Sequence, residues 1–310
     1  MTFALLFGTP TFALPVAETL QRTSACTLIG VVTKPDEPVG RQRVLTAPPL
    51  ATWARECGAR CWQPKTKVEL TALLRELQPD VAVIAAYGRF IPPEALTISR
   101  FGFVNIHPSL LPRWRGPSPV QAAIAAGDAE TGVTCILLDR EMDHGPIIGQ
   151  ERIPIAPTRG RVALERELAE RGAQLLERIL PEYLAGRMTP RPQDDAQATT
   201  CPLLARDDGR LDWREPTIVL ERRIRAYEGW PGTWCADDGG RRLKVLRATI
   251  GGPTSAAPGT IVREVGQFGV ACGDDRTLIL EIVQTEGRAP VPGGDFLRGY
   301  RGSDHLPCAP

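Results

Sequence analysis

The stretch that decides the fold reads FVNIHPSLLPRWRGP and covers residues 103–117. Residues 103–106 are typical of a buried strand, and the prolines that follow end the strand. Asn105 and His107 are two residues apart, so they project from the same face of that strand. We therefore expect an amide and an imidazole side by side at the carboxyl end of a strand, where open α/β sheets bind their ligands.

A second stretch, LLDREMDHGPII at 137–148, has the same form, since a strand runs into an acidic turn that Gly-Pro closes. This second stretch supports an active site, because an isolated Asn-x-His at a strand end is more often a structural pair. The intervening residues suffice for one helix, 118–127, and one strand. We expect adjacent parallel strands to bring Asp143 and His107 to the same edge of the sheet. Only three histidines occur in the chain, so a proton carrier near neutral pH has few candidates.

Together, the two stretches resemble the 10-formyltetrahydrofolate-dependent formyltransferases. The resemblance lies in HPSLLPRWRG, in the Asn two residues before its His, and in MDxGP downstream. It implies that Asn105, His107 and Asp143 are catalytic. It also implies direct transfer of a formyl group from 10-formyltetrahydrofolate to an amine, through a tetrahedral intermediate and without a covalent enzyme adduct.

The chemistry of formyl transfer explains why three such side chains would be needed. Attack of an amine on the formyl carbon places negative charge on oxygen, and one fixed hydrogen-bond donor there contributes roughly 3–4 kcal/mol. Asn105 can supply a neutral donor, and protonated His107 can supply a charged one. Asp143 would hold the charge state of His107 and help to move protons. We expect His107 to be cationic when the carbonyl binds, because a neighbouring carboxylate favours its charged form.

The run AYGRFIPP, residues 86–93, follows an apolar strand and is by itself equally consistent with a plain Gly/Pro turn. It resembles the Ala-Tyr-Gly-x-x-x-Pro segment that walls the folate pterin pocket in the family, and the turn after 138 would form the opposite wall. On this resemblance the residues that contact 10-formyltetrahydrofolate are Ala86, Tyr87, Gly88, Ile91, Ser109, Leu110, Leu111, Pro112, Asp139, Arg140, Glu141 and Met142.

Residues 34–49, KPDEPVGRQRVLTAPP, form a long connection that we expect to lack regular structure because of its Pro and Gly content. Physical arguments alone favour a solvated loop. The pattern PDxPxGR resembles the RNA-binding loop of family members that formylate initiator methionyl-tRNA, which implies that Arg41 contacts tRNA, with Lys34 and Arg43 behind it. Arg113 and Arg115 either approach the RNA or cap carbonyls of neighbouring loops.

Strands and helices alternate over residues 1–185, which predicts an α/β fold with a doubly wound, mostly parallel, Rossmann-like sheet. Five short strands between 232 and 283 favour a small β-barrel of OB type. We therefore predict a catalytic domain at 1–188, a linker at 189–207 and an OB-like domain at 208–310. Residues 211–213 and 223–234 resemble the C-terminal tRNA-binding domain of these family members. Four aromatic residues there are expected in the core rather than as base-stacking platforms: Trp213, Tyr227, Trp230 and Trp234.

Composition excludes several other classes of protein. The hydrophobic content of 43% and charged content of 24% are those of a globular protein, and the net charge of +1 means that any RNA contact must be local. The eight cysteines lack the paired spacing of a zinc site, so we expect free thiols and no metal. No stretch approaches the roughly 20 apolar residues of a membrane span, and the first residues lack the features of a signal peptide. We expect a cytoplasmic monomer that does not bind DNA or membranes.

Two other functions remain compatible with these patterns. A formyltransferase acting on an amino-sugar nucleotide, or on another small amine, would share residues 1–190. A non-catalytic tRNA- or folate-binding protein would not need all three polar site residues in register.

Overall fold

A computed structural model describes residues 1–40, 42–237, 239–264 and 266–309. The chain forms two compact units. The first contains residues 1–119, 130–154 and 165–201, and the second contains 120–129, 155–164 and the chain from 202 onward. The predicted domain boundaries at 188 and 208 remain predictions.

The first 184 residues follow the predicted alternation, with additional short strands at 37–39, 44–46 and 61–62. The strands are β1 (Phe3–Gly8), β2 (Thr27–Val32), β3 (Glu37–Val39), β4 (Val44–Thr46), β5 (Cys61–Trp62), β6 (Val81–Ala85), β7 (Phe103–His107), β8 (Glu130–Leu137) and β9 (Ile147–Pro154). The helices are α1 (Leu14–Arg22), α2 (Pro49–Glu56), α3 (Lys67–Leu77), α4 (Pro119–Ala126) and α5 (Arg161–Leu184).

Seven of these strands form one sheet in the order β5-β2-β1-β6-β7-β8-β9. The strands are parallel from β5 to β7, whereas β8 and β9 are antiparallel. The inner strands β1 and β6 are almost entirely buried, as expected for parallel strands that helices cover on both faces. The predicted fold class, α/β with a mostly parallel Rossmann-like sheet, is confirmed.

The direction of β8 differs from the prediction. We expected it to be parallel to β7, but the two strands are antiparallel, with Val104 opposite Leu137 and His107 opposite Thr134. The carboxyl end of β8 therefore lies beside the amino end of β7. An apolar run does not encode strand direction, and the chain after β8 must turn back to reach His107.

The connection 34–49 also differs from the prediction, because it contains regular structure. Strands β3 and β4 form a two-stranded hairpin in which Val39 lies opposite Val44 and Pro38 opposite Leu45. A proline is tolerated there because both strands of an isolated ribbon are edge strands. Arg41, predicted as the leading RNA contact, lies outside the described residues.

The second unit contains a six-stranded antiparallel sheet in the order β10-β11-β14-β13-β12, with the last strand, β15, on β14. The elements are β10 (Thr233–Ala236), β11 (Arg242–Pro253), β12 (Ile261–Glu264), β13 (Gln267–Ala271), β14 (Arg276–Thr285) and β15 (Val291–Pro292), with helices α6 (Thr217–Ala226) and α7 (Gly293–Gly299). The five predicted strands are present and pair antiparallel, with β15 as a sixth, and their assignment to an OB-type barrel stays a prediction.

The aromatic residues of this unit differ in their burial. Trp213 is completely buried in the core with Phe268, as predicted. Trp230 is 53% exposed, so the expectation that it lies in the core is wrong. Trp234 is half-buried, and the Arg242 guanidinium lies 4.1 Å from its ring centroid.

Over the described ranges, no helix has both the length and the apolar character required to cross a bilayer.

Candidate active site

Three polar side chains meet at the carboxyl end of β7. Asn105 Nδ2 donates a hydrogen bond to Asp143 Oδ1 at 3.3 Å, and His107 Nδ1 lies 3.6 Å from Asp143 Oδ2. The exposed fractions of the His107 and Asp143 side chains are 5% and 13%. The structure therefore brings together the amide, the imidazole and the carboxylate that the sequence singled out, in a site almost closed to water.

The orientation of the His107 ring follows from one contact. Its Nε2 lies 2.9 Å from the main-chain oxygen of Trp114. A carbonyl oxygen can only accept a hydrogen bond, so Nε2 carries a proton. Nδ1 is consequently the ring nitrogen that faces Asp143 and can exchange a proton there.

The loop after β8 turns back and carries Asp143 to His107. Leu138 N still donates to Phe103 O at 2.8 Å, and Asp143 then adopts a left-handed backbone with φ of +52°. The loop passes very close to the end of β8, because a Cβ built on Gly145 would lie 1.7 Å from Leu137 O. Glycine is therefore required at this position, which explains part of the Asp-x-Gly pattern.

The Asp143 carboxylate also accepts a hydrogen bond from the main chain. Gly116 N donates to Asp143 Oδ2 at 2.9 Å. Gly116 has φ of +120°, and a Cβ there would lie 2.3 Å from Cys201 O. Asp143 thus receives one main-chain and one side-chain hydrogen bond, which fix the position of its carboxylate.

The loop after His107 is anchored to β8 and β9 by buried hydrogen bonds. Thr134 Oγ1 donates to Ser109 O at 2.6 Å and accepts from Leu111 N, and Gln150 Nε2 donates to Leu111 O. Ser109 and Leu111 are buried, and the Leu110 side chain packs against Gly132. The structure gives these residues internal partners, and their contact with folate stays a prediction, as does that of the half-buried Pro112.

The predicted folate wall at 86–91 has a buried centre and exposed edges. Tyr87 is 2% exposed and packs edge-on against Phe7, and its carbonyl accepts a hydrogen bond from Thr9 Oγ1. Ala86 and Gly88 are exposed, both with positive φ, whereas Ile91 is buried. Residues 86 and 88 are therefore accessible on either side of a fixed, buried aromatic residue.

The turn predicted as the opposite wall is organised by Asp139. Its Oδ1 accepts from Glu141 N at 2.9 Å, and its Oδ2 lies 2.6 Å from His144 Nδ1. The hydrogen bond with Asp139 raises the pKa of His144 above its ordinary value. Arg140 and Glu141 are exposed, and Met142 is 56% exposed, so this turn presents an apolar side chain to solvent.

The basic residues predicted to contact RNA have different surroundings. Arg43 is exposed at the hairpin turn, and Lys34 is half-buried with its ammonium group near Gly88. The Arg113 guanidinium lies over the Trp114 ring, 4.4 Å from its centroid. Arg115 binds Asp195 at 2.7 Å and Gln193 at 3.0 Å, which favours the structural alternative for this residue.

Sequence reasoning missed the contribution of residues 191–201, which it placed in a linker. Gln193 donates to two main-chain carbonyls of the Asp143 loop, and the Thr199 hydroxyl accepts from Trp114 N. A segment rich in Asp, Gln and Thr with one proline resembles a solvated connection, so composition carries no signal of these contacts.

One thiol reaches this site, since Cys201 Sγ donates to Trp114 O at 3.8 Å and to Arg115 O at 3.4 Å. Burial raises the pKa of Cys135 and of Cys235 to about 12, so both are held as neutral thiols. In the part of the chain that the structure describes, no three His, Cys, Asp or Glu side chains are grouped so that they could hold a metal ion.

Comparison with known proteins adds the family. The family model described as "Formyl transferase" matches residues 1–180, and the one described as "Formyl transferase, C-terminal domain" matches residues 203–301. The chain is 43% identical over 309 residues to the methionyl-tRNA formyltransferase of Roseiflexus castenholzii, covering 97% of each chain. It is 42% identical to that of Thermus thermophilus, covering 95% of each.

Solved structures with less similar sequences share the fold. An N-formyltransferase from Helicobacter canadensis, solved with folinic acid and dTDP-3-aminofucose, has a TM-score of 0.69 at 16% identity and covers 92% of this chain and all of that one. HypX from Aquifex aeolicus, solved with tetrahydrofolic acid, has a TM-score of 0.64 at 18% identity, and this chain spans about half of its length. The chain belongs to the formyl transferase family, among the methionyl-tRNA formyltransferases.

Proposed function

We propose that the protein transfers the formyl group of 10-formyltetrahydrofolate to the α-amine of methionyl initiator tRNA. The observation that carries the proposal is the contact of Asp143 with both Asn105 and His107 in a nearly closed site. The full-length similarity to methionyl-tRNA formyltransferases supports the choice of acceptor.

In this proposal each side chain has one role. The amine attacks the formyl carbon directly, and the resulting oxyanion accepts hydrogen bonds from Asn105 Nδ2 and from protonated His107. Because His107 Nε2 is engaged with Trp114 O, the His107 donor is Nδ1. The Asn105 amide carries two hydrogens, so it can donate to Asp143 and to the oxyanion together. Asp143 stabilises the imidazolium and relays the proton that the amine loses toward the departing N10.

The formyl donor would lie between the turn at 86–91 and the turn at 139–142. The fit rests on the exposed residues Ala86 and Gly88, which the buried Tyr87 holds in place, and on the exposed Met142 side chain. These groups suit a flat, partly polar heterocycle, which needs apolar faces and main-chain hydrogen bonds at its edge.

The tRNA would contact the β3–β4 hairpin. Arg43 is exposed there, and Lys34 and Arg41 complete the basic set in the sequence. Val39, Val44 and Leu45 are 56%, 57% and 67% exposed, so the hairpin also offers apolar surface, for which an RNA end with unstacked bases is a suitable partner. Arg43→Ala should raise KM for tRNA, leave KM for folate unchanged, and reduce the salt dependence of tRNA binding.

One assay tests the activity and its alternatives. Purified protein and 10-formyltetrahydrofolate are incubated with methionyl initiator tRNA, with an amino-sugar nucleotide, or without acceptor, and formylated product and released tetrahydrofolate are measured by mass spectrometry. We expect formyl-methionyl-tRNA in the first reaction only. Formylation of the sugar nucleotide alone, or binding of tRNA without turnover, would replace the proposal. The proposed enzyme is a monomer in the cytoplasm, where initiator tRNA is used.

A further inference from the structure

Residues 191–201, here called the bracing segment, lie along both loops that form the site. At one end, Arg191 N and O form a hydrogen-bonded pair with Ile147 O and N at 2.8 and 2.7 Å. At the other end, Arg115 N donates to Thr199 O, and Cys201 N donates to Arg115 O, both at 2.8 Å. The bracing segment is thus attached to the start of β9, directly after the loop that carries Asp143, and to the loop that carries Trp114.

Thr199 fixes the main chain around Trp114. Its Oγ1 accepts from Trp114 N at 2.9 Å, and its own N donates to Pro112 O at 3.2 Å. Trp114 has φ of +62°, a conformation that costs a non-glycine residue of order 1–3 kcal/mol unless its surroundings impose it. The carbonyl of this same residue accepts from His107 Nε2 and from Cys201 Sγ, so the Thr199 contacts contribute to positioning the group to which the histidine ring is bonded.

Gln193 fixes the main chain around Asp143. Its Nε2 donates to Asp143 O at 2.8 Å and to Gly145 O at 2.9 Å, and its Oε1 accepts from Arg115 Nε at 3.0 Å. The three partners are satisfied in only one orientation of the amide, since carbonyls need a donor and the guanidinium needs an acceptor. Arg115 is itself paired with Asp195, and its hydrogen bond lowers the pKa of that carboxyl.

We propose that Thr199 and Gln193 are positioning residues for formyl transfer, Thr199 through the Trp114 carbonyl that orients His107 and Gln193 through the Asp143 main chain that orients the carboxylate. This inference rests on the proposed function. Each residue holds a non-glycine residue in a left-handed conformation next to the reacting groups, and a displacement of about 1 Å at such a site can cost about 10²-fold in rate. The bracing segment, which lies between the regions matched by the two family models, therefore supports the active site.

The first test compares neighbouring threonines. Thr199→Val removes the hydroxyl acceptor at almost constant shape, Thr199→Ser keeps it, and Thr200→Val makes the same change at an exposed side chain. We expect kcat to fall roughly 10- to 100-fold in Thr199→Val, with KM for both substrates within about threefold. Thr199→Ser should recover most of kcat, and Thr200→Val should match the unmodified protein.

The second test compares two glutamines of the bracing segment. Gln193→Leu removes both donors to the Asp143 loop, whereas Gln197→Leu removes only an exposed hydrogen bond to Asp194. We expect a loss of kcat in Gln193→Leu alone, again roughly 10- to 100-fold. If Thr199→Val does not fold, Thr199→Ala removes the same hydroxyl acceptor and takes its place, and the glutamine pair still tests Gln193.

A measurement that does not depend on activity separates the positioning role from the proposed function. In ¹⁵N NMR spectra of the His107 ring, Nε2 should carry a slowly exchanging proton, which Thr199→Val makes exchange faster and Thr200→Val leaves unchanged. If the unmodified protein formylates no acceptor, the proposed function fails, and the His107 spectra still test the positioning role. Unchanged kcat and an unchanged His107 spectrum in Thr199→Val, or equal losses in the control variants, would overturn the inference.

Discussion

Replacing Asp143 by Asn tests the charge at the centre of the site while keeping its shape. The His107 Nδ1 to Asp143 Oδ2 distance is 3.6 Å, and both side chains are largely shielded from solvent. An imidazolium and a carboxylate at that distance attract each other by about 4–5 kcal/mol at an effective dielectric constant of about 20, and by about 1 kcal/mol in bulk water. Because the pair is mostly buried, the upper figure applies, and most of it is lost in Asp143→Asn.

We therefore expect kcat for formylation to fall by about 10²–10³-fold in Asp143→Asn, since each 1.36 kcal/mol corresponds to a factor of ten. KM for 10-formyltetrahydrofolate should change by less than about threefold, because the carboxylate acts on the transition state. The assay is steady-state formylation of methionyl initiator tRNA, with the folded fraction of each variant measured by circular dichroism.

Asp80→Asn provides the matched control. Asp80 is half-buried and, like Asp143, accepts a hydrogen bond from a main-chain N–H, that of Phe3 at 2.7 Å. It lies just before the amino end of β6, whereas the site lies at the carboxyl end of β7. It should retain full kcat. A kcat in Asp143→Asn within tenfold of the unmodified protein, or an equal loss in Asp80→Asn, would refute the reasoning.

Three further perturbations have distinct expected outcomes. Gly116→Ala should destabilise the first unit by roughly 2–5 kcal/mol, because the new Cβ meets Cys201 O at 2.3 Å in a left-handed conformation; urea unfolding measures this. The hydrogen bond with Asp139 raises the pKa of His144, so the pairing stabilises the folded protein fully below the unfolded-state pKa of about 6.5. This stabilisation is lost as the pH rises through the folded-state pKa. His144→Gln should therefore lower the unfolding midpoint more at about pH 6 than at about pH 9. Cys135, whose pKa is about 12, should resist iodoacetamide in the folded protein and react after unfolding, as measured by mass spectrometry.

Each of these predictions has a control or a contradicting result. Gly186→Ala shares a positive φ of +70°, but no described atom lies within 4 Å of the new Cβ, so it should cost less than Gly116→Ala; equal costs would show that the contact with Cys201 is unimportant. For His144, a difference that grows with pH would contradict the assigned partner. For the thiols, exposed Cys57 should be alkylated before Cys135, and the reverse order would contradict the burial of Cys135.

The catalytic candidates could be predicted from the sequence because their geometry is local. A spacing of two places Asn105 and His107 on one face of a strand whatever the rest of the chain does, and the following prolines end the strand beside them. The same reasoning predicted the strand direction of β8 wrongly, because apolar runs carry no direction. Asp143 still reaches His107, but through a loop that turns back at Gly145 rather than through adjacent parallel strands.

The sequence alone thus determined the family, most of the order of strands and helices, and the three polar groups as candidates, since these depend on residue type and short-range spacing. The tertiary structure decided which nitrogen of His107 faces Asp143 and how the Trp114 carbonyl is held, and it gave Arg115 partners within the protein. It also placed the bracing segment against the site. The placement of the Trp114 main chain and of Arg115 depends on hydrogen bonds between residues about 80 positions apart in the chain. Such contacts form only when the sheet and its loops pack together, and nothing in the local sequence specifies them.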